Sequence, residues 1–266
     1  MGFLTMATNL TGSDLKQKIR IGILFGGRSG EHEVSLMSAR SVVRVLDVKH
    51  YDVTLIGITH DGQWLAGDHA LDALEKGNTA HLTPVTLLPQ AGQRTLFAFK
   101  DGALAPYAEL DVIFPVLHGT FGEDGTIQGL FELIGLPYVG AGVLGSSVGM
   151  DKGLFKDVMR ANGIPVLDSL ILTRHAIEQD IETAIAACEK ISAYPLFTKP
   201  ANLGSSVGIS KVRGRSDLYE GLLEAARFDR RVLVERGLEK PREIEVSVLG
   251  NDQPIASVPG EIRPSD

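Results

Sequence analysis

In "TKPANLGSSVGIS", residues 198–210, one lysine precedes two glycines and a pair of serines. The chemistry such a stretch could do is phosphate binding. A Walker A loop places its lysine after the glycines, as GxxxxGK[ST]. Lys199 comes first, so that loop is excluded while anion binding is not. Gly204 and Gly208 let backbone approach a ligand closely. Successive N–H groups in a turn of this kind form a nest for an anion. Ser205 and Ser206 add hydroxyl donors, and Lys199 supplies a positive charge at a strand end. A plain hairpin turn would have the same composition, because small polar residues dominate turns.

Two further glycine-rich stretches carry charge. In "FGGRSGEHEVS" the spacing of Gly26, Gly27 and Gly30 does not match GxGxxG, so the dinucleotide fingerprint is absent. Glu31 and Glu33 stand where a pyrophosphate would require bare N–H groups. Carboxylates at a helix start are favoured by the helix dipole in any protein. At the carboxyl end of a strand they could equally bind the ammonium of an amino acid. "HGTFGEDGTIQG" places His118, Glu123 and Asp124 among glycines. The acids suit a helix start, and the imidazole could bind a carboxylate or serve only structure. The seven histidines form no spaced cluster of the kind zinc requires.

The elements that must position these groups alternate. "KIRIGILF" and "YDVTLIGIT" read as strands separated by a helix with Leu36, Ala39, Val43 and Leu46 on its apolar face. A weakly patterned stretch from Asp61 to Pro106 leads to a third strand in "ELDVIFPVLHG". A helix follows, with Ile127, Leu130, Phe131 and Ile134 inward. This α/β pattern predicts a doubly wound, largely parallel sheet with ligands at the carboxyl ends of its strands. Past Gly149 the pattern becomes α+β. A helix in "DKGLFKDVMRANGIPV" is stopped by Asn162–Gly163. Another is expected from about Ala176 to Lys190, then strands "YPLFTKP" and "VGISKV", and a helix from about Asp217 to Phe228. "RVLVE", "EIEVSVLG" and "PIASVPGEI" read as antiparallel strands, with Ile244, Val246 and Val248 on a packed face. The divisions expected are a disordered tail over 1–17, a doubly wound domain over 18–148, which the resemblance described below implies to be substrate-binding, and a second region over 149–266 that is incomplete at its end.

Bulk properties narrow the class. With 266 residues, 44% hydrophobic and 22% charged, the chain can bury more than one core. A net charge of −7 gives no electrostatic reason for a nucleic-acid or anionic-membrane partner. The one cysteine, Cys188, excludes an intrachain disulfide, sits at core spacing and fits a reducing compartment. No apolar run reaches the length of a membrane span, and the N-terminus lacks the form of a signal peptide. A cytoplasmic location is the expectation.

Five blocks, "GGRSGEHEVSLMSA", "HGTFGEDGTIQG", "MDKGLFK", "FTKPANLGSSVGISKV" and "REIEVSVLGN", together resemble the D-alanine–D-alanine ligase family of the ATP-grasp superfamily, in the family's order. The resemblance runs from about Lys18 to the last residue. It implies ATP-dependent joining of two D-alanines through an acyl phosphate, for peptidoglycan synthesis, with Mg2+ or Mn2+. It also implies a homodimer that binds neither nucleic acid nor membrane. Glu31 would hold the first substrate's ammonium, with Ser205 bonded into that site and His118 beside it; Glu31 and Ser205 are the catalytic candidates. Lys152 and Lys199 would grip the nucleotide phosphates, and Gly204, Ser205, Ser206, Val207 and Gly208 would form the lid over them. Glu235 would meet the adenine, with Leu238 close by through its backbone, and Glu243 would accept the ribose hydroxyls.

The family's metal ligands, its transferred-phosphate lysine and arginine, and its second-substrate groups are expected beyond Asp266, and none is assigned in this chain. The 266 residues alone are therefore expected to be inactive. A D-alanine–D-lactate ligase and a non-catalytic nucleotide-binding fragment are the alternatives. A carboxylase-like ATP-grasp enzyme is opposed by "HGTFGEDGTIQG", and a dinucleotide oxidoreductase by the missing GxGxxG.

Overall fold

A computed structural model describes residues 18–263, so the expected tail over 1–17 lies outside the described residues. The chain begins with β1 (Ile19–Gly26), α1 (His32–Val45) and β2 (Tyr51–Ile58). It continues through β3 (Trp64–Ala66), α2 (Ala70–Glu75), β4 (Thr83–Leu87), β5 (Thr95–Lys100), β6 (Ala103–Glu109), β7 (Val112–Pro115) and α3 (Thr126–Ile134). These strands form one sheet in the order β6-β5-β4-β3-β2-β1-β7. β1 runs parallel to both β2 and β7. It is covered on both faces, which is why it reads as a nearly unbroken apolar run. Ile21, Ile23 and Phe25 pack against α1 and α2, while Leu24 packs with Ile127, Phe131 and Ile134 of α3. The parallel core matches the expectation. The stretch from Asp61 to Pro106 holds an antiparallel meander, β3 to β6, that extends the sheet. Its strands are short and half-exposed, so they lack the long apolar runs of β1 and β2.

α4 (Val143–Met150) and α5 (Lys152–Ala161) lead to a second, four-stranded sheet. It comprises β8 (Ser169–Thr173), β9 (Leu196–Pro200), β10 (Ser210–Val212) and β11 (Arg231–Arg236), in the order β10-β9-β11-β8 and antiparallel throughout. The helix expected over about 176–190 is two helices, α6 (Arg174–Gln179) and α7 (Ile181–Cys188). Asp180 divides them: its backbone leaves the helical region, and its carboxylate caps α7 by accepting from the Thr183 N–H at 3.0 Å. α8 (Arg215–Phe228) packs with α6 and α7 on one face of the sheet. Alternation then puts Leu196, Val232 and Val234 toward these helices. Phe197, Lys199, Leu233 and Glu235 fall on the opposite face.

The last described elements are β12 (Glu243–Glu245), β13 (Val248–Leu249), β14 (Ile255–Ala256) and β15 (Gly260–Ile262), paired as β12–β15 and β13–β14. The expected packed face does not form. Ile244, Val246 and Val248 are 49%, 48% and 67% exposed, because among the described residues nothing lies over these two ladders. "VGISKV" contributes only Ser210–Val212 as strand, since the loop before it turns through left-handed Ser205, Ser206 and Gly208. No helix among the described residues is long and apolar enough to cross a membrane.

Candidate active site

The loops after β1 and β7 meet because those strands are neighbours. Ser29 ties them together: its hydroxyl donates to the His118 carbonyl at 2.7 Å and accepts from the Glu31 N–H at 3.1 Å. Glu123 and Asp124 bind within their own loop. Glu123 accepts from the Gly119 N–H at 2.7 Å, and Asp124 accepts from the Phe121 and Thr126 N–H groups at 2.9 and 3.0 Å. His118 Nε2 is hydrogen-bonded to the Ser38 hydroxyl of α1 at 3.0 Å, which aims the imidazole along that helix. Beside His118 a cavity of about 280 Å³ opens beneath Arg28 and Phe121.

The Glu31 carboxylate is the point where three segments converge. The Ser205 hydroxyl donates to it across 174 residues of sequence. A Cβ at Gly119 would lie 2.2 Å from Glu31 Oε2, and one at Gly204 would lie 2.4 Å from it. With the Glu31 carboxylate in this place, neither position has room for a Cβ. The 204–208 loop folds down onto Glu31, joining the two sheets' loops around one carboxylate.

Under the loop lies a cluster of ammonium groups. The Lys152 ammonium donates to the Leu203 carbonyl, and its N–H donates to the Ala201 carbonyl at 2.9 Å. Asp229 anchors the same segment by accepting from the Asn202 N–H at 2.7 Å. Asp151 caps α5 and is bridged by Arg231. Glu235 is 6% exposed, and its two oxygens are taken by different lysines: Lys199 on Oε1, and Lys156 on Oε2 at 2.8 Å. Burial pushes the Glu235 carboxyl upward, but hydrogen bonds and charge from Lys156 and Lys199 outweigh it and hold the group below its usual value. Burial lowers the Lys152 ammonium, and the nearby Lys199 charge adds to this. Two ammoniums thus hold the Glu235 carboxylate and a third, Lys152, stands nearby on the Leu203 carbonyl, while Asp151 is engaged by Arg231 and Asp229 by backbone N–H groups. That surplus of positive charge beneath a glycine–serine loop fits a polyphosphate. Among the described residues no three acidic, His or Cys side chains come together to hold a metal ion.

The structure therefore brings together Glu31, His118, Lys152, Lys199, Gly204, Ser205 and Glu235 of the sequence candidates. Ser206 and Val207 sit on the exposed crest of the loop, and Gly208 packs against Phe228 and Pro200 at its foot. Leu238 and Glu243 are exposed beyond β11, with Glu243 paired to Ile262. Lys156 and Gly119 were not among the candidates. Lys156 follows Lys152 by one helical turn, a spacing that puts both on one face of α5, and that signal was available. Gly119 had no signal of its own, because its role depends on where Glu31 arrives.

Two family models match the chain, "D-ala D-ala ligase N-terminus" over residues 20–141 and "D-ala D-ala ligase C-terminus" over residues 158–266. The D-alanine–D-alanine ligase of Natranaerobius thermophilus is 48% identical over 252 residues, covering 94% of this chain and 68% of that protein. That of Ruminiclostridium cellulolyticum is 48% identical over 256 residues, covering 93% and 68%. Among solved structures, the D-alanine–D-alanine ligase of Coxiella burnetii superposes with a TM-score of 0.79 at 38% identity, covering 92% of this chain and 71% of its own. The VanG D-Ala:D-Ser ligase of Enterococcus faecalis gives 0.80 at 33% identity, covering 92% and 70%. With matched models over most of its length and relatives this similar, the chain belongs to the D-alanine–D-alanine ligase family.

Proposed function

We propose that the site binds ATP and D-alanine for the ligation of two D-alanines, with residues 18–148 carrying the first substrate and 149–266 the nucleotide. The observation that carries this is the Glu31 carboxylate enclosed by the Gly119 and Gly204 backbones directly beside the ammonium cluster. Glu31 pairs with the ammonium of the first D-alanine, and His118 takes its place near the same substrate. Lys152 and Lys199 hold the phosphates. ATP transfers its terminal phosphoryl group to the D-alanine carboxylate, and the amine of a second D-alanine displaces phosphate from the acyl phosphate. The acyl phosphate would hydrolyse in water, so the loop from Gly204 to Gly208 serves as the cover that keeps water out. Glu235 lies toward the adenine, Leu238 contacts it through backbone, and Glu243 accepts from the ribose. D-alanine as second substrate is favoured by the curated relatives, while the VanG structure is of a ligase using D-serine. The product serves peptidoglycan synthesis, an ATP- and Mg2+-dependent step.

Calorimetric titration of D-alanine in the presence of ADP, on the chain and on Glu31→Gln, tests the assignment. Loss of D-alanine binding in the variant supports it, and unchanged affinity refutes it.

A further inference from the structure

Glu235 shares its charge between two lysines that stand on different elements. Lys199 comes from β9 and Lys156 from α5, and each takes one carboxylate oxygen. If Lys199 is a phosphate-binding lysine, the proposal on which this inference rests, it must move toward the nucleotide and loosen its hold on Glu235. A carboxylate this buried cannot be left alone without a large penalty. We propose that Lys156 is a positioning residue for nucleotide entry: it stays on Glu235 and keeps that carboxylate paired while Lys199 turns to the phosphates.

Among the described residues no other group pairs with Glu235 on its Lys156 side. The charged groups packed around Glu235 are Lys199 from β9, and Lys156 with Lys152 one turn away on α5. Asp151, at the start of α5, is engaged by Arg231. Asp229 accepts from the Asn202 and Arg231 N–H groups. Lys152 bonds the Leu203 carbonyl at the root of the loop and, on the same proposal, serves the phosphates as Lys199 does. Lys156 has only 15% of its side chain exposed and makes its one ion pair with Glu235.

The test is titration of ADP into the full chain and into Lys156→Met, Lys156→Gln, Lys156→Arg and Lys199→Met. Affinities are compared at about pH 6 and about pH 8.5, which bracket the range where an unpaired buried carboxyl takes up a proton. The ratio of variant to wild-type Kd cancels the titration of the nucleotide itself. Lys156→Met and Lys156→Gln are expected to weaken ADP binding about tenfold or more near pH 8.5, as for any buried pair that loses one partner. The ratio should shrink near pH 6, where Glu235 can be neutralised by a proton instead. Lys156→Arg should bind as wild type does. In Lys156→Met combined with Glu235→Gln, which removes the charge needing compensation, the pH dependence should vanish. A neutral Lys156 variant that binds normally, or that loses the same factor at both pH values, overturns the proposal. If Lys199→Met binds ADP like wild type, or wild type does not bind it, the phosphate role of Lys199 fails first and the proposal falls with it.

Discussion

The contact between the 204–208 loop and Glu31 can be broken in two independent ways. Gly204 is not in the left-handed region, so alanine suits its backbone, yet a Cβ there would sit 2.4 Å from Glu31 Oε2. That is about 1 Å inside ordinary C···O separations, so either the Glu31 carboxylate swings aside or the loop lifts, and the contact is lost in both cases. Ser205→Ala removes the hydroxyl that donates to the same carboxylate without adding bulk. A hydrogen bond to a charged group is worth roughly 1.5–3 kcal/mol, and Ser205 is exposed, so the lower figure applies. About 1.5 kcal/mol corresponds to a roughly tenfold rise in the ratio of lifted to closed loop. A dye on Val207→Cys reports the change, because Cys188 is the chain's one cysteine, fully buried, its thiol pushed up by burial to about 12. Dye anisotropy should fall in both variants, with the loss of unfolding stability in Ser205→Ala no greater than the contact itself, about 1.5 kcal/mol. Because both act on one contact, combining them should lower it little further. Unchanged anisotropy in both variants would refute the latch between loop and carboxylate.

Other outcomes follow from the buried polar groups and the core. Glu235 is held below its unperturbed value of 4.5, so its stabilising effect is full above that pH and is lost as pH falls through the folded value. Glu235→Gln should therefore cost roughly 3 kcal/mol in urea unfolding at neutral pH, with the gap to wild type closing on acidification. Equal gaps at pH about 7 and about 4 would contradict the pairing. Thr198 is fully buried with its hydroxyl unpartnered. Thr198→Val should leave stability unchanged or raise it by up to about 1 kcal/mol, although burial alone would make the site look intolerant. Phe131 is wholly buried beneath the parallel sheet. Phe131→Ala should lose about 3–5 kcal/mol in the same assay, and a loss under about 1 kcal/mol would argue against that core.

Local signals in the chain were enough for the elements with a strong period. The double-sided apolar run of β1, the inward faces of α1 and α3, and the Asn162–Gly163 stop after α5 each follow from interactions within a few residues. They therefore determine the parallel core and the strand-end placement of the two glycine-rich loops. The meander from β3 to β6 and the break at Asp180 were less legible. Short half-exposed strands are stabilised mainly by their neighbours, and one capping aspartate outweighs a continuous helical pattern.

The types of chemistry were also carried by the sequence: a carboxylate after the first strand, lysines around a glycine–serine loop, and an imidazole among glycines. Their partnerships were decided only by the tertiary structure. Ser205 reaches Glu31 because the loop of one sheet closes over a loop of the other, 174 residues apart. Lys156 and Lys199 share Glu235 because a helix is laid across the one face of the second sheet that α8 leaves open. A residue's charge and its local backbone are properties of neighbouring sequence, but which charge it meets depends on how separately folded layers are stacked, and no spacing along the chain encodes that distance.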